Sequence, residues 1–214
     1  MNNNLSFKSR INIVNASEFK KSDKGVYIDF REGKSLKSVV KAPKFYTTGI
    51  RTCTGGGVVN DDGSIGFHFW HQLERRHLKS NLNKINHLMP NIKSGLLIGS
   101  KNLSKTAKES VPNFEFTKNY LMEKCSNISY FKTFTETFAE ADVKYSFEND
   151  TWDICLFSNI KKGKNNKDNS KLTLQKLKSF FKEIYISPTD ELYINGQKVE
   201  KTDAPEFFVN TKTF

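Results

Sequence analysis

The 214-residue chain predicts an α+β fold, a layered α/β arrangement with a twisted mixed sheet core and about three helices. Several short runs alternate apolar and polar residues, as half-buried strands require. Three longer segments carry apolar residues at helical spacing instead. The two kinds interleave with no internal repeat or linker between them, so the chain reads as one domain, long enough to bury a substantial core. Only 36% of residues are apolar but eighteen are Phe, so that core should be largely aromatic.

Residues 1–23 are polar apart from Ile11-Asn12-Ile13-Val14 and read as a lead-in, with the domain proper at 24–214. Val26, Ile28 and Phe30 alternate with polar neighbours and predict a strand that ends at Arg31-Glu32-Gly33-Lys34. An extended stretch from Ser38 to Lys41 runs into Ala42-Pro43. The segment Phe45 to Val59 holds Cys53 followed closely by Gly55-Gly56-Gly57. Asn60-Asp61-Asp62-Gly63 supplies hairpin-turn chemistry, and Ser64 to Trp70 returns as the partner strand.

Leu78, Leu82, Ile85 and Met89 share one helical face within 72–89, and Pro90 stops that helix. Gly95 to Gly99 is a short apolar strand, 113–124 a second helix, and 127–134, 142–147 and 152–158 further strands. The lysine- and asparagine-rich run at 161–170 reads as a solvated loop. Leu174, Leu177, Phe181 and Ile184 mark a third helix. Asn195-Gly196 then turns a C-terminal hairpin.

No stretch approaches the roughly 20 apolar residues of a membrane span, and the N-terminus lacks the layout of a secretory signal. Cys53, Cys125 and Cys155 form neither a CxxC nor an even disulfide framework, which points to a reducing compartment. The expected location is cytoplasmic, or another cell's cytosol reached without a classical signal peptide. A net charge of +11 suits an acidic partner or a lysine-rich solvated surface; without aromatic-interleaved basic motifs, nucleic acid is not expected.

Three consecutive glycines are costly in a strand unless the backbone bulges or something approaches it closely. Directly after a cysteine they suggest amides of Gly55 and Gly56 placed to hold an oxyanion, or else a structural bulge. A two-residue turn at Asp61-Asp62 makes paired residue numbers sum to 123, and one at Asp62-Gly63 makes them sum to 125. In the first register Cys53 and His68 are diagonal neighbours on one face, with backbones roughly 7–8 Å apart. One bulged residue would bring His71 into play instead. An imidazole beside a thiol can take its proton and return it to a leaving amine. His77 and His87 lie on different helix faces with no acidic or thiol companion at ligand spacing, so no metal or other cofactor is expected. No phosphate-loop ending follows the glycines, and no Gly-x-Ser-x-Gly elbow occurs. Cys125 and Cys155 read as packing residues.

The stretch from Ala42 to His71 resembles the chemoreceptor glutamine deamidase family, CheD. That family has a threonine six residues before its cysteine and, after a turn, a glycine-preceded histidine followed by phenylalanine. Thr47, Cys53 and His68-Phe69 match. The cysteine-to-histidine separation is also similar to that of the cytotoxic necrotizing factor toxins. Ile50-Arg51-Thr52 and Trp70-His71 depart from the pattern, and residues 1–40 and 160–214 have no counterpart. The resemblance implies a cysteine hydrolase with catalytic Cys53, His68 and Thr47. It would convert a glutamine on a chemoreceptor or host signalling protein through a thioester, with transglutamination if an amine replaces water. The competing expectation is a basic, non-catalytic interaction module with a packed Cys53. On a straight strand Thr47 would lie roughly 20 Å from Cys53, so it can join a site only if Thr48-Gly49 turns the chain.

Overall fold

Two mixed β-sheets, one of seven strands and one of six, form the computed structural model, which describes residues 8–21, 25–30, 38–100, 110–135, 138–158 and 172–209. In chain order the elements begin with β1 (Arg10–Val14), α1 (Ala16–Lys21), β2 (Val26–Ile28), β3 (Val39–Lys41) and β4 (Lys44–Ile50). The hairpin β5 (Thr54–Asn60) and β6 (Gly63–Phe69) follows, then α2 (Arg75–Leu88), β7 (Ser94–Gly99) and α3 (Ser110–Lys124). After these come β8 (Ile128–Phe134), β9 (Phe138–Ser146), β10 (Thr151–Ser158) and α4 (Leu174–Phe180). The described chain closes with β11 (Phe181–Tyr185), β12 (Glu191–Ile194), β13 (Gln197–Lys198) and a 3-10 turn at Pro205–Phe207.

The first sheet runs β13-β12-β1-β10-β9-β4-β2 and the second β11-β8-β7-β5-β6-β3. An aromatic cluster fills the space between them, with Phe45, Tyr145 and Trp152 in mutual ring contact. On its other face the second sheet buries Val58, Ile65, Phe67 and Phe69 in a second cluster with Leu78, Leu82 and Ile85 of α2 and Phe114 and Leu121 of α3. Among the described residues no helix is long and apolar enough to cross a membrane.

The glycine run is explained by this layering. β5 and β6 pair without interruption from Thr54↔Phe69 to Asn60↔Gly63, the register that sums to 123, so the run contains no bulge in this pairing. A Cβ on Gly57 would come 2.5 Å from the Ile65 carbonyl oxygen and 2.7 Å from Phe45 Cζ. Gly56, at φ +143°, would drive one into the Leu96 carbonyl. Small residues there let the two sheets close over the Phe45 and Trp152 rings.

Two expectations need correction. The apolar run inside the lead-in is not peripheral: β1 lies between β10 and β12, parallel to both, with Ile11 and Ile13 buried. A five-residue strand suffices where neighbours on both sides supply its hydrogen bonds. The third helix is also shorter than its periodicity suggested. It stops at Phe180, and Phe181 and Ile184 instead belong to β11, which pairs antiparallel with β8. Pairing with an open sheet edge overrides a helical spacing that β-compatible Phe, Ile and Tyr satisfy equally well. The C-terminal hairpin has its Asn195-Gly196 turn, with both residues at positive φ (50° and 78°). The expected solvated loop at 161–170 and the Arg31–Lys34 strand end lie outside the described residues.

Candidate active site

The chain passes from one sheet to the other between β4 and β5, and the candidate residues sit at that crossing. β4 breaks register with β9 between Thr47 and Ile50. Gly49 there takes φ +71° and donates its N–H to Asp142 Oδ1 at 2.9 Å. The bend at 51–53 follows, and β5 starts at Thr54. Its backbone is pinned from two sides: the Thr52 carbonyl accepts Ser110 Oγ–H at 2.5 Å, and the Cys53 carbonyl accepts the Ser100 N–H at 3.2 Å.

Thr47 and His68 meet across the sheets. His68 pairs with Gly55, whose missing side chain leaves room over the inter-sheet face, where Ile50 and Thr47 are the nearest atoms to its vacant Cβ position. Thr47 Oγ1 lies 2.6 Å from His68 Nδ1 and donates to the Ile28 carbonyl at 3.0 Å. A hydroxyl has one proton to donate. With that proton on Ile28, Thr47 must accept at its other contact, so Nδ1 carries the imidazole hydrogen and Nε2 presents a bare lone pair. Nε2 is buried and has no hydrogen-bond partner among the described residues, the Cys53 sulfur included.

Both titrating groups are held neutral. Burial pushes the His68 imidazole down to about 4, against a smaller opposing pull from Asp29. Burial raises the Cys53 thiol to about 11, partly offset by the His71 backbone N–H and the Thr52 hydroxyl; Asp29 raises it further. Cys53 is 5% exposed, and a thiolate there would lack solvation. Burial thus disfavours both members of a preformed thiolate–imidazolium pair.

The Gly55 and Gly56 amides need a second correction. β5 is flanked by β6 and β7, and successive residues of an antiparallel strand address alternate neighbours. The His68 N–H donates to Ser38 on the β3 side, so Gly56 faces β6 and Gly55 faces β7. Both amides face ladder partners and not an open cleft.

His71 forms its own pair, with Nδ1 2.8 Å from Thr52 Oγ1, and its backbone amide is the part that reaches the sulfur. Asn113 Nδ2 donates to the His71 and Leu73 carbonyls at 3.1 and 3.0 Å, so the start of α3 buttresses both the bend and the end of β6. Sequence reading missed Ser110, Asn113, the Ile28 carbonyl and the buried Asp29, because only the tertiary fold brings them here. An acidic residue inside the alternating run Val26 to Phe30 was the available signal for Asp29.

Beside His68 lies a cavity of about 330 Å³ lined by Phe30, Ser38, His68, Phe69, Trp70, Leu73 and Asn81. None of its described lining residues carries a formal charge. Among the described residues no three His, Cys, Asp or Glu side chains converge to hold a metal ion. No protein-family model matches the chain, and no curated protein matches it.

Proposed function

We propose that the protein is a cysteine-dependent protein-glutamine deamidase, acting in a cytosol on a chemoreceptor or host signalling protein. The observation that carries this reading is the buried His68, oriented at Nδ1 by Thr47 and left bare at Nε2. An imidazole packed for stability alone would have its second nitrogen satisfied. Thr47, Cys53 and His68 are also the residues on which the resemblance to glutamine deamidases rests.

Cys53 Sγ attacks the carboxamide carbon as its proton passes to His68 Nε2. The negative charge of buried Asp29 favours the imidazolium that forms, while Thr47 keeps the ring in place. Because Gly55 and Gly56 face ladder partners, the oxyanion falls to the backbone of the 51–53 bend. His68 returns the proton to the amide nitrogen, ammonia leaves and a thioester remains. Water, deprotonated at Nε2, opens it to glutamate and regenerates the thiol. An amine in place of water gives transglutamination at the same carbon.

The test is mass spectrometry of candidate target proteins incubated with the wild type, Cys53→Ala and His68→Ala. A gain of about one dalton on a glutamine peptide, present only with the wild type, is the expected result of an acyl-enzyme route. Conversion that persists in Cys53→Ala rules the mechanism out. A basic, non-catalytic interaction module is the second reading, and the raised, buried thiol of Cys53 is the observation in its favour.

A further inference from the structure

Helix α2 carries Arg75, Arg76, Lys79 and Lys84, together with His77 and His87, and contains no acidic residue. Its buried stripe, Leu78, Leu82 and Ile85, packs on the second sheet. Arg75 turns toward α3, with its guanidinium over the Phe116 ring at 4.3 Å, and Asn83 accepts from Tyr120 Oη at 3.0 Å. On the opposite flank of the helix, His77, Asn81, Lys84 and Leu88 recur at spacings of three and four and form a single stripe.

That stripe leads to the candidate site, because Asn81 also lines the cavity that His68 faces. His77 and Lys84 stand one turn to either side of Asn81, and both are exposed. Two of the few exposed large apolar side chains flank the path, Leu88 at 38% and Trp70 at 40%. The described lining of the cavity is mostly apolar, with Phe30, Phe69, Trp70 and Leu73, and it includes His68, whose buried Nε2 has no hydrogen-bond partner among the described residues. The cationic Lys84 therefore lies on the approach, and a hollow whose described lining is uncharged lies at its end. Solvated lysine faces do not ordinarily border an exposed tryptophan and an unsatisfied buried acceptor.

We infer that the α2 stripe and the adjoining cavity form the docking surface for an acidic segment of the target protein, with acidic side chains along His77 and Lys84 and an apolar side chain in the cavity. This deepens the deamidase proposal, on which it rests for the existence of a protein target. Electrostatic complementarity of this kind selects partners and speeds encounter, and the apolar anchor fixes register.

The chain has two tryptophans, and Trp152 is 1% exposed, so Trp70 is the solvent-sensitive reporter. The measurement uses full-length Cys53→Ala and a synthetic peptide of alternating Glu and Leu around one Gln. A saturable change in tryptophan emission is expected, weakening about tenfold in the added double variant His77→Glu/Lys84→Glu and at high salt. Lys182→Glu, on the distant edge strand β11, should leave the affinity unchanged. Replacing Leu by Ser in the peptide should weaken binding, and replacing Glu by Lys should abolish it. The docking surface is overturned by an absence of saturable binding, by equal binding of the Lys peptide, or by tighter binding of oligouridylate or phosphatidylserine vesicles. Peptide binding without glutamine conversion by the wild type instead counts against the deamidase proposal and leaves the docking surface standing.

Discussion

Two buried polar clusters span the sheets, and they are finished differently. In one, Asp190 accepts from Ser129 Oγ at 2.5 Å and from the Ser9 N–H at 3.3 Å. Ser9 Oγ and Tyr145 Oη then donate to Asp150 at 2.8 and 2.9 Å, and the Ser187 N–H donates to Ser129 Oγ at 2.9 Å. Both oxygens of the Asp190 carboxylate receive a donor. In the other cluster, Thr47 secures one nitrogen of His68 and the second is left bare. A folded chain gains nothing in stability from a buried acceptor with no donor, and leaving one costs about 1–3 kcal/mol. The first cluster joins strands; the second leaves a lone pair without a donor among the described residues.

The largest effect that would break this contrast is catalytic. His68→Ala and Cys53→Ala should each lower glutamine conversion by about 10³-fold or more, with no greater loss in the double variant, because the two act as a unit. Asp190→Asn should leave conversion near wild type. Initial rates of ammonia release compare the three, and a comparable loss in Asp190→Asn would erase the distinction.

Stability should show the reverse order. Asp190→Ala strands the Ser129 hydroxyl and the Ser9 N–H, and should cost about 2–4 kcal/mol in denaturant unfolding. Gly56→Ala, forced toward the Leu96 carbonyl at an unfavourable φ, should cost roughly 3 kcal/mol. Gly55→Ala should cost less, because the atom in its way is the movable end of Ile50.

Titration sharpens the comparison, since the two groups act with opposite sign. Burial pushes Asp190 up to about 7, against the hydrogen bonds from Ser129 and Ser9, so the folded state holds its proton where the unfolded chain has lost it. The Asp190 contribution to stability therefore declines as pH rises from about 4 to 7. His68, depressed to about 4, binds its proton more weakly when folded, and its contribution is lost as pH falls from about 6.5 to 4. Asp190→Asn should remove the first slope and His68→Phe the second, as read from unfolding free energies across that window.

The smallest expected effect concerns thiol reactivity. Cys125 is half-buried and Cys53 almost fully buried, with both thiols raised mainly by burial. Iodoacetamide at pH 7 should modify Cys53 no faster than Cys125, and the Cys53 rate should rise only as pH approaches 11. Rapid modification of Cys53 at neutral pH would mean that an ion pair exists in the resting site.

Local chemistry made the hairpin readable: Asn60 to Gly63 sets the turn, the turn sets the register, and the register puts His68 opposite Gly55. Thr47 was legible only as a motif residue. Along its own strand it is too far away, and it reaches His68 because the chain turns after Thr47 and lays β5 back over β4, with Thr47 beside Gly55. That packing left no periodic signal in sequence. The same limit applies to β1, whose run of apolar residues does not reveal that both its neighbours come from the far end of the described chain. The burial of Cys53 left no local signal for a related reason, since it depends on α3 and the end of β7 closing over the bend.

The placement of β1 has a consequence for biosynthesis. Arg10 pairs with Glu191, and the Ser9–Asp190 contact spans 181 residues. A chain emerging from the ribosome can assemble the hairpin β5–β6 and add β7 and β8 early, because those strands are close in sequence. β1 must wait until β12 has been made, and such distant closure is slow. The Thr47–His68 contact spans only 21 residues and does not wait for that closure. A nascent copy would therefore bring Thr47 and His68 together while the first sheet still lacks the β1–β12 pairing.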